Sequence, residues 1–177
     1  ENYLPSSASS AVASRFRLAG PSGSGAAACA TGVVSVLGAV SAIEQGTCDA
    51  AVAGSSEESL VPLVLCGFNS MGVLAPESSD PASSVKPFSK NRRGFAIGSG
   101  CGAVVLESGE CAMKRGARVY AEVKAVVSCA DAFHVTNFDP SSESIKYAIM
   151  KAVASAGLED EGVDYINAHG TATRMND

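Results

Sequence analysis

The residue whose setting best suits chemistry is Cys29, near the end of the small-residue segment Gly20–Gly32 (GPSGSGAAACATG). The long apolar run Val33–Ile43 follows it, which predicts a sharp turn at the cysteine and a buried helix just after it. A thiol at a helix N-terminus faces unpaired backbone N–H groups and the positive end of the helix dipole, and both favour the nucleophilic thiolate. Its small neighbours leave room for a substrate carbonyl. A buried, inert cysteine is the alternative that this segment alone leaves open.

A second chemical segment, NAHGTAT, overlaps the end of the short apolar stretch Val163–Ala168. We predict that this stretch is a strand, so that His169 follows its carboxyl end, where open α/β sheets bind ligands. Histidine is the natural partner for a nucleophilic cysteine, and the hydroxyls of Thr171 and Thr173 can hydrogen-bond an amide-bearing substrate. A structural histidine and turn or capping hydroxyls are the alternatives.

Composition narrows the classes of protein. The chain has 177 residues, of which 46% are hydrophobic and 18% charged, as in a globular domain with a sizeable core. Its net charge of −5 gives no reason to expect nucleic acid or an anionic membrane as partner. Six scattered cysteines without a C-x-x-C pair, and only two histidines, argue against a metal site and suit a reducing compartment. No signal peptide is visible and no apolar run reaches the ~20 residues of a membrane span. We therefore expect a soluble protein, cytoplasmic or organellar.

The elements that must position these residues alternate between helical and extended patterns, which predicts an α/β layered fold with mainly parallel pairing. Helices are expected at about Ser7–Phe16, after Cys29, within Ser59–Ala75, at Glu110–Gly116, and from a cap at Ser141 or Ser142 to about Ala156. Strands are expected at Cys48–Gly54, within Gly94–Glu107, at Val119–Ser128 and at Val163–Ala168, with a polar turn at Ser55–Glu58 and a long loop at Pro76–Arg93. The glycines at 98, 100 and 102 do not match a G-x-G-x-x-G phosphate site, and close backbone packing explains them better.

Four segments taken together resemble the β-ketoacyl synthase family, especially the condensing enzymes that elongate chains bound to acyl carrier protein. GPSGSGAAACATG looks like the family's nucleophile segment, and KPFSKNRRGFAIGSGCGAVVLE is similar to its glycine-rich strand. SCADAFHVT is similar to the loop into the second half, and NAHGTATRMND to the first catalytic-histidine motif. The resemblance runs through nearly the whole chain.

The resemblance implies a thiolase-like fold of two similar βαβαβ halves packed as layers, only partly covered by this chain and usually found in a homodimer. Residues 1–177 would be a single fragment of a ketosynthase domain. Residues 1–108 would form the end of the N-terminal half, with the nucleophile. Residues 117–177 would begin the C-terminal half, with the first catalytic histidine.

For function, the resemblance implies a decarboxylative Claisen condensation in fatty acid elongation. Cys29 would carry the acyl group and its backbone N–H would serve as one oxyanion donor, while His169 would hydrogen-bond the malonyl thioester oxygen. Thr171, Thr173 and Thr136 would hold the phosphopantetheine arm of acyl carrier protein, and Phe68 would line the acyl pocket. No bound cofactor or metal is implied.

The chain departs from the family pattern at Ser89 and Ser99, where acidic residues are usual, and at Arg174, where proline is common. The family's second histidine, a lysine and a Gly-Phe-Gly oxyanion loop lie downstream of the NAHGT motif, so we expect an internal fragment that does not condense substrates alone. A polyketide synthase ketosynthase, a non-catalytic partner subunit and a cysteine hydrolase are the alternatives. Partner subunits usually lose the nucleophile, so Cys29 argues against that reading.

Overall fold

The computed structural model describes residues 4–135 and 137–177, which fall into two compact units. The first unit comprises the chain up to Ser55 together with Gly102–Val163, and the second comprises Ser56–Cys101 together with Asp164–Asp177. The helices are α1 (Ser7–Phe16), α2 (Thr31–Glu44), α3 (Pro62–Ser70), α4 (Gly109–Lys114) and α5 (Glu143–Ala156). The strands are β1 (Ala50–Glu58) and β2 (Ser99–Glu107).

The helices confirm the sequence patterns that predict them. Helix α1 has the expected bounds, α2 begins two residues after Cys29, and α3 lies inside the apolar stretch as a shorter helix that starts at a proline. Helix α5 ends at Gly157, whose φ of 69° gives the left-handed C-terminal turn that glycine makes without strain. Of the two expected caps, Ser142 is left-handed and makes no capping side-chain hydrogen bond, whereas the Ser141 hydroxyl accepts from the Glu143 N–H at 3.4 Å.

The two strands pair with each other in antiparallel register, so the expected parallel pairing is wrong for this sheet. An isolated bridge between Leu74 and Phe95 is parallel. The Ser108 N–H donates to the Asp49 carbonyl at 3.3 Å, so the end of β2 lies beside the start of β1. In the second unit the Ser99 hydroxyl donates to the Glu58 carboxylate at 2.6 Å. Strand β1 therefore continues through Ser55–Glu58, where a polar turn was expected, because pairing with β2 continues there and the polarity of those residues does not prevent it.

The close approach between the two strands is at Gly54, and not at the glycines 98, 100 and 102. A Cβ added to Gly54 would collide with the carbonyl oxygen of Gly102 and lie 2.8 Å from Ala103 Cα. Cβ atoms at 98, 100 and 102 would meet nothing within 4 Å among the described residues. The strands approach each other through the missing side chain on β1.

Two of the predicted strands, at 119–128 and 163–168, are not strands in this structure. Residues 119–128 and 163–168 are assigned to no helix or strand, and within the described part of the chain they form no ladder with a neighbour. A strand is completed by hydrogen bonds to a second strand, which an alternating pattern does not itself supply. Tyr120 and Tyr165 are accordingly 86% and 77% exposed.

Among residues 4–135 and 137–177, no helix combines the length and apolar character that crossing a membrane requires.

Candidate active site

Cys29 sits in a 3₁₀ turn, Ala28–Ala30, that leads directly into α2. The residue before it, Ala28, has a φ of 47°, a left-handed conformation that residues with a Cβ seldom adopt. Such backbone strain persists only where the surrounding structure enforces it, and it is concentrated at functional sites. The surrounding structure therefore enforces this turn, and the exposed Cys29 thiol lies at its centre.

The side chain of Thr31 holds this turn in place. Its hydroxyl accepts from the Ala27 N–H at 2.9 Å and donates to the Ala28 carbonyl at 2.8 Å. The Ala30 N–H closes the turn on the Ala27 carbonyl, also at 2.9 Å. These bonds are made by the neighbours of Cys29, so the cysteine is positioned without its own side chain taking part.

The first turn of α2 also packs closely on β1 in the same unit. A Cβ on Gly32 would lie 3.3 Å from the Ser55 hydroxyl oxygen, tighter than an ordinary contact. Gly32 thus allows the start of α2 to pack against β1. Two grooves of this unit lie along residues 122–126, beside α2 and α5, and Cys29 lines neither of them.

His169 lies in the second unit, at the start of a turn with unusual backbone geometry. Gly170 has a φ of 58° and Ala172 a φ of 58° as well, and Ala172 is fully buried. The His169 side chain is exposed, and within the described residues it has no hydrogen-bond partner.

The hydroxyls of Thr171 and Thr173 lie 2.9 Å apart, so one donates to the other. The Asn176 N–H also donates to Thr173 Oγ1, at 3.3 Å, and the Asn176 side-chain oxygen accepts from the Thr171 N–H at 3.3 Å. Whichever threonine is the donor in the pair, the other keeps a hydroxyl hydrogen for an outside acceptor. The pair can therefore donate to one carbonyl oxygen of a substrate.

The backbone of this turn is tied to the loop that precedes β2. The Ala172 N–H donates to both Asp177 carboxylate oxygens at 3.1 Å, and the Ala172 carbonyl accepts from the Gly94 N–H at 2.8 Å. Arg92 Nε donates to the Thr173 carbonyl at 3.1 Å. The Phe88 N–H donates to Asp177 Oδ2 at 2.8 Å.

Phe68 lies on α3 in this second unit and is half-buried. Its ring and that of Phe95 form a T-shaped pair, with a centroid distance of 5.5 Å and an interplanar angle of 78°. Such T-shaped pairs fix ring orientation. Thr136, the remaining predicted site residue, lies outside the described residues. The structure thus joins the two threonines directly, places His169 and Phe68 in the same unit as them, and places Cys29 in the other unit.

Sequence reasoning missed Phe88, Arg92 and Asp177. Asp and Asn following a Thr-rich segment are common turn signals, so the role of Asp177 had a visible cue. Phe88 had none, because a bulky aromatic residue seldom adopts a φ of 62°. Among the described residues no group of three or more metal-ligating side chains forms a cation site.

Comparison with known proteins gives consistent matches. Residues 1–112 match the model of the β-ketoacyl synthase N-terminal domain, and residues 120–177 match that of the C-terminal domain. The 3-oxoacyl-(acyl-carrier-protein) synthase 2 of Staphylococcus aureus is 35% identical over 98% of this chain and 43% of its own length. That of Coxiella burnetii is 37% identical over 96% of the chain and 41% of its own length. The chain thus spans less than half the length of these relatives.

Among solved structures, a type II PKS acyl-carrier protein in complex with its ketosynthase bound to the hexaketide matches with a TM-score of 0.92. The identity is 35%, and the match covers 97% of this chain and 42% of the solved chain. This likeness confirms the expected thiolase-like α/β fold for the part of it that the chain covers.

Proposed function

Because the chain belongs to the β-ketoacyl synthase family, we propose that it carries the nucleophile and the first histidine of an enzyme that elongates fatty acyl chains. Residues 1–108 then close the N-terminal half and residues 117–177 open the C-terminal half. Acyl carrier protein delivers both substrates on its phosphopantetheine arm. The enzyme works as a homodimer in the cytoplasm or in an organelle matrix.

The observation that carries the proposal is the exposed Cys29 on a strained turn that opens directly into α2. Its thiolate attacks the acyl thioester carbonyl, the carrier thiolate leaves, and the acyl group becomes a thioester on Cys29. Backbone N–H groups at the start of a helix stabilise the negative charge on sulfur and on the carbonyl oxygen during this step.

In the second step a malonyl thioester loses carbon dioxide, and the electron pair of the broken bond becomes an enolate. His169 donates a hydrogen bond to the thioester oxygen, where the enolate charge develops. Oriented donors of this kind contribute about 3–4 kcal/mol to transition-state stabilisation. The enolate carbon attacks the acyl carbonyl, the Cys29 thiolate leaves, and a β-ketoacyl thioester is released.

The hydroxyl pair of Thr171 and Thr173 supports the binding of the carrier arm. The pantetheine arm contains amide carbonyls, and the pair keeps one hydroxyl hydrogen to donate to such an oxygen. Thr136 adds a third hydroxyl by the family resemblance, and Phe68 lines the acyl pocket, where its ring is held by Phe95.

The test is acyl transfer to Cys29 in the complete protein that contains this chain. We expect acyl thioesters of carrier protein to add one acyl group to wild type and to C66A, whose cysteine is also exposed, and none to C29A. Malonyl thioester must then discharge the acyl group as a β-ketoacyl product. Discharge by water alone identifies a cysteine hydrolase, and labelling of C29A refutes the assignment.

A polyketide synthase ketosynthase is the second candidate, because a solved structure with a type II PKS ketosynthase matches the chain with a TM-score of 0.92. Both candidates use the same residues. The product separates them: with malonyl carrier protein and no reductase, an elongation enzyme stops after one condensation. A polyketide ketosynthase condenses repeatedly and releases a chain with several keto groups.

A further inference from the structure

The turn that carries His169 is held in a conformation that its own residues do not favour. Ala172 and Phe88 both have a Cβ and both are left-handed, with φ values of 58° and 62°. Residues of this kind stay left-handed only when neighbouring groups enforce it. The enforcing contacts come from side chains for which sequence reasoning found no function.

Asp177 joins these two positions. One carboxylate accepts from the Ala172 N–H at 3.1 Å and from the Phe88 N–H at 2.8 Å. Hydrogen bonds to a charged acceptor are about twice as strong as those between neutral groups. A single side chain therefore stabilises both left-handed residues and ties the turn to the loop before β2.

Arg92 makes a second tie between the same two segments. Its Nε donates to the Thr173 carbonyl at 3.1 Å, and its Nη1 donates to the Ser89 carbonyl at 3.1 Å. The guanidinium offers these two donors in a fixed planar fork, which a lysine ammonium does not reproduce.

The Phe88 ring completes the arrangement. A Cβ on Gly170 would lie 3.3 Å from two of its ring carbons, so the ring covers the residue next to His169. The three contacts surround the turn from Gly170 to Thr173 and act on its backbone. They leave the side chains of His169, Thr171 and Thr173 for the substrate.

We propose that Asp177, Arg92 and Phe88 form a latch of positioning residues, which fixes the left-handed turn and thereby the places of His169 and the two threonine hydroxyls. The latch residues act through the turn and do not touch the reacting atoms. The kinetic consequence rests on the proposed function, whereas the structural consequence does not.

The test compares D177A, D177N, R92A and R92K in the complete protein, with R93A as the matched control at an exposed neighbouring arginine. Hydrogen–deuterium exchange of residues 170–173 measures the turn directly, and iodoacetamide alkylation of Cys29 reports on the other unit. We expect D177A and R92A to speed exchange and to lower kcat/KM for malonyl carrier protein by about tenfold or more each, the effect of losing a charged hydrogen bond. The rate of Cys29 alkylation should stay within about twofold of wild type in all these variants. R93A should stay within about twofold of wild type in amide exchange and in kcat/KM.

Conservative variants distinguish positioning from mere stability. The Asp177→Asn amide keeps an oxygen acceptor, so we expect it to retain kcat/KM within about threefold, whereas Arg92→Lys keeps one of two donors and falls with R92A. If D177A does not fold, the comparison of D177N with R92K tests the latch instead. Unchanged exchange and kinetics in R92A and R92K refute the latch, as does a D177N whose kcat/KM falls by about tenfold or more, the loss expected of D177A. A wild type that exchanges slowly but never condenses refutes the proposed function and leaves the latch supported.

Discussion

Replacing Gly94 by alanine is a demanding test of the second unit. Gly94 has a φ of 118°, a conformation that residues with a Cβ rarely adopt, and it is buried. The new Cβ would also collide with the carbonyl oxygen of Val73 and would lie 2.7 Å from the carbonyl carbon of Leu74. Both neighbours are backbone atoms and have no rotamer through which to move away.

The expected loss combines two terms. A residue with a Cβ at this φ costs about 1–3 kcal/mol. Inserting one methyl group into a closely packed backbone contact costs about 1–3 kcal/mol more. The free energy of unfolding should therefore fall by about 2–6 kcal/mol. The shift also displaces the Gly94 N–H, which donates to the Ala172 carbonyl at 2.8 Å, so the His169 turn is disturbed as well.

The assay is urea unfolding of the complete protein, followed by circular dichroism and by hydrogen–deuterium exchange of residues 170–173. G98A is the matched control, because a Cβ there meets nothing within 4 Å among the described residues and the chain segment is the same. We expect G98A to stay within about 1 kcal/mol of wild type. A loss below about 1 kcal/mol for G94A, or equal losses for both variants, would show that the contact at Val73 does not constrain the fold.

Two further predictions concern the first unit. Hydrogen bonds from Arg115 hold the pKa of Glu107 below its ordinary value of 4.5. This pair therefore stabilises the fold above pH 4.5, and its contribution is lost as the pH falls through the lowered pKa of Glu107 in the folded state. The stability of E107Q should therefore change less between about pH 5 and about pH 3 than that of wild type, measured by urea midpoints, and an equal change would contradict the assignment. Ser142 has a φ of 57° before α5, so S142G should raise the free energy of unfolding by about 0.5–1 kcal/mol, with no gain in S142A.

The Cys29 turn shows how much of a site a sequence can specify. Small residues before the cysteine and an apolar run after it predict the turn and the start of α2, and the structure has both. The pattern does not predict the left-handed Ala28 or the two bonds of the Thr31 hydroxyl. Those depend on the local backbone path, because alanine disfavours the left-handed region and a threonine hydroxyl can bond any of several neighbouring backbone groups.

The His169 turn shows where sequence reasoning ends. The motif identifies His169 and the threonines, and it places them after an extended segment. It does not reveal that Asp177 bonds Phe88 or that Arg92 bonds Thr173, because these pairs are 89 and 81 residues apart. Long-range pairs of this kind follow from the fold as a whole and leave no periodic signal.

The segments 119–128 and 163–168 separate two kinds of information in a strand pattern. Alternation of apolar and polar residues predicts which side chains share a face of a strand. It does not supply the neighbour whose N–H and C=O groups complete the ladder, and Val119 and Ile166 remain 62% and 68% exposed. The relatives are more than twice as long as this chain, so they contain further residues that can pair with these segments. We expect residues 119–128 and 163–168 of the complete protein to show slow amide exchange, and fast exchange there would mean that the alternating pattern does not mark strands.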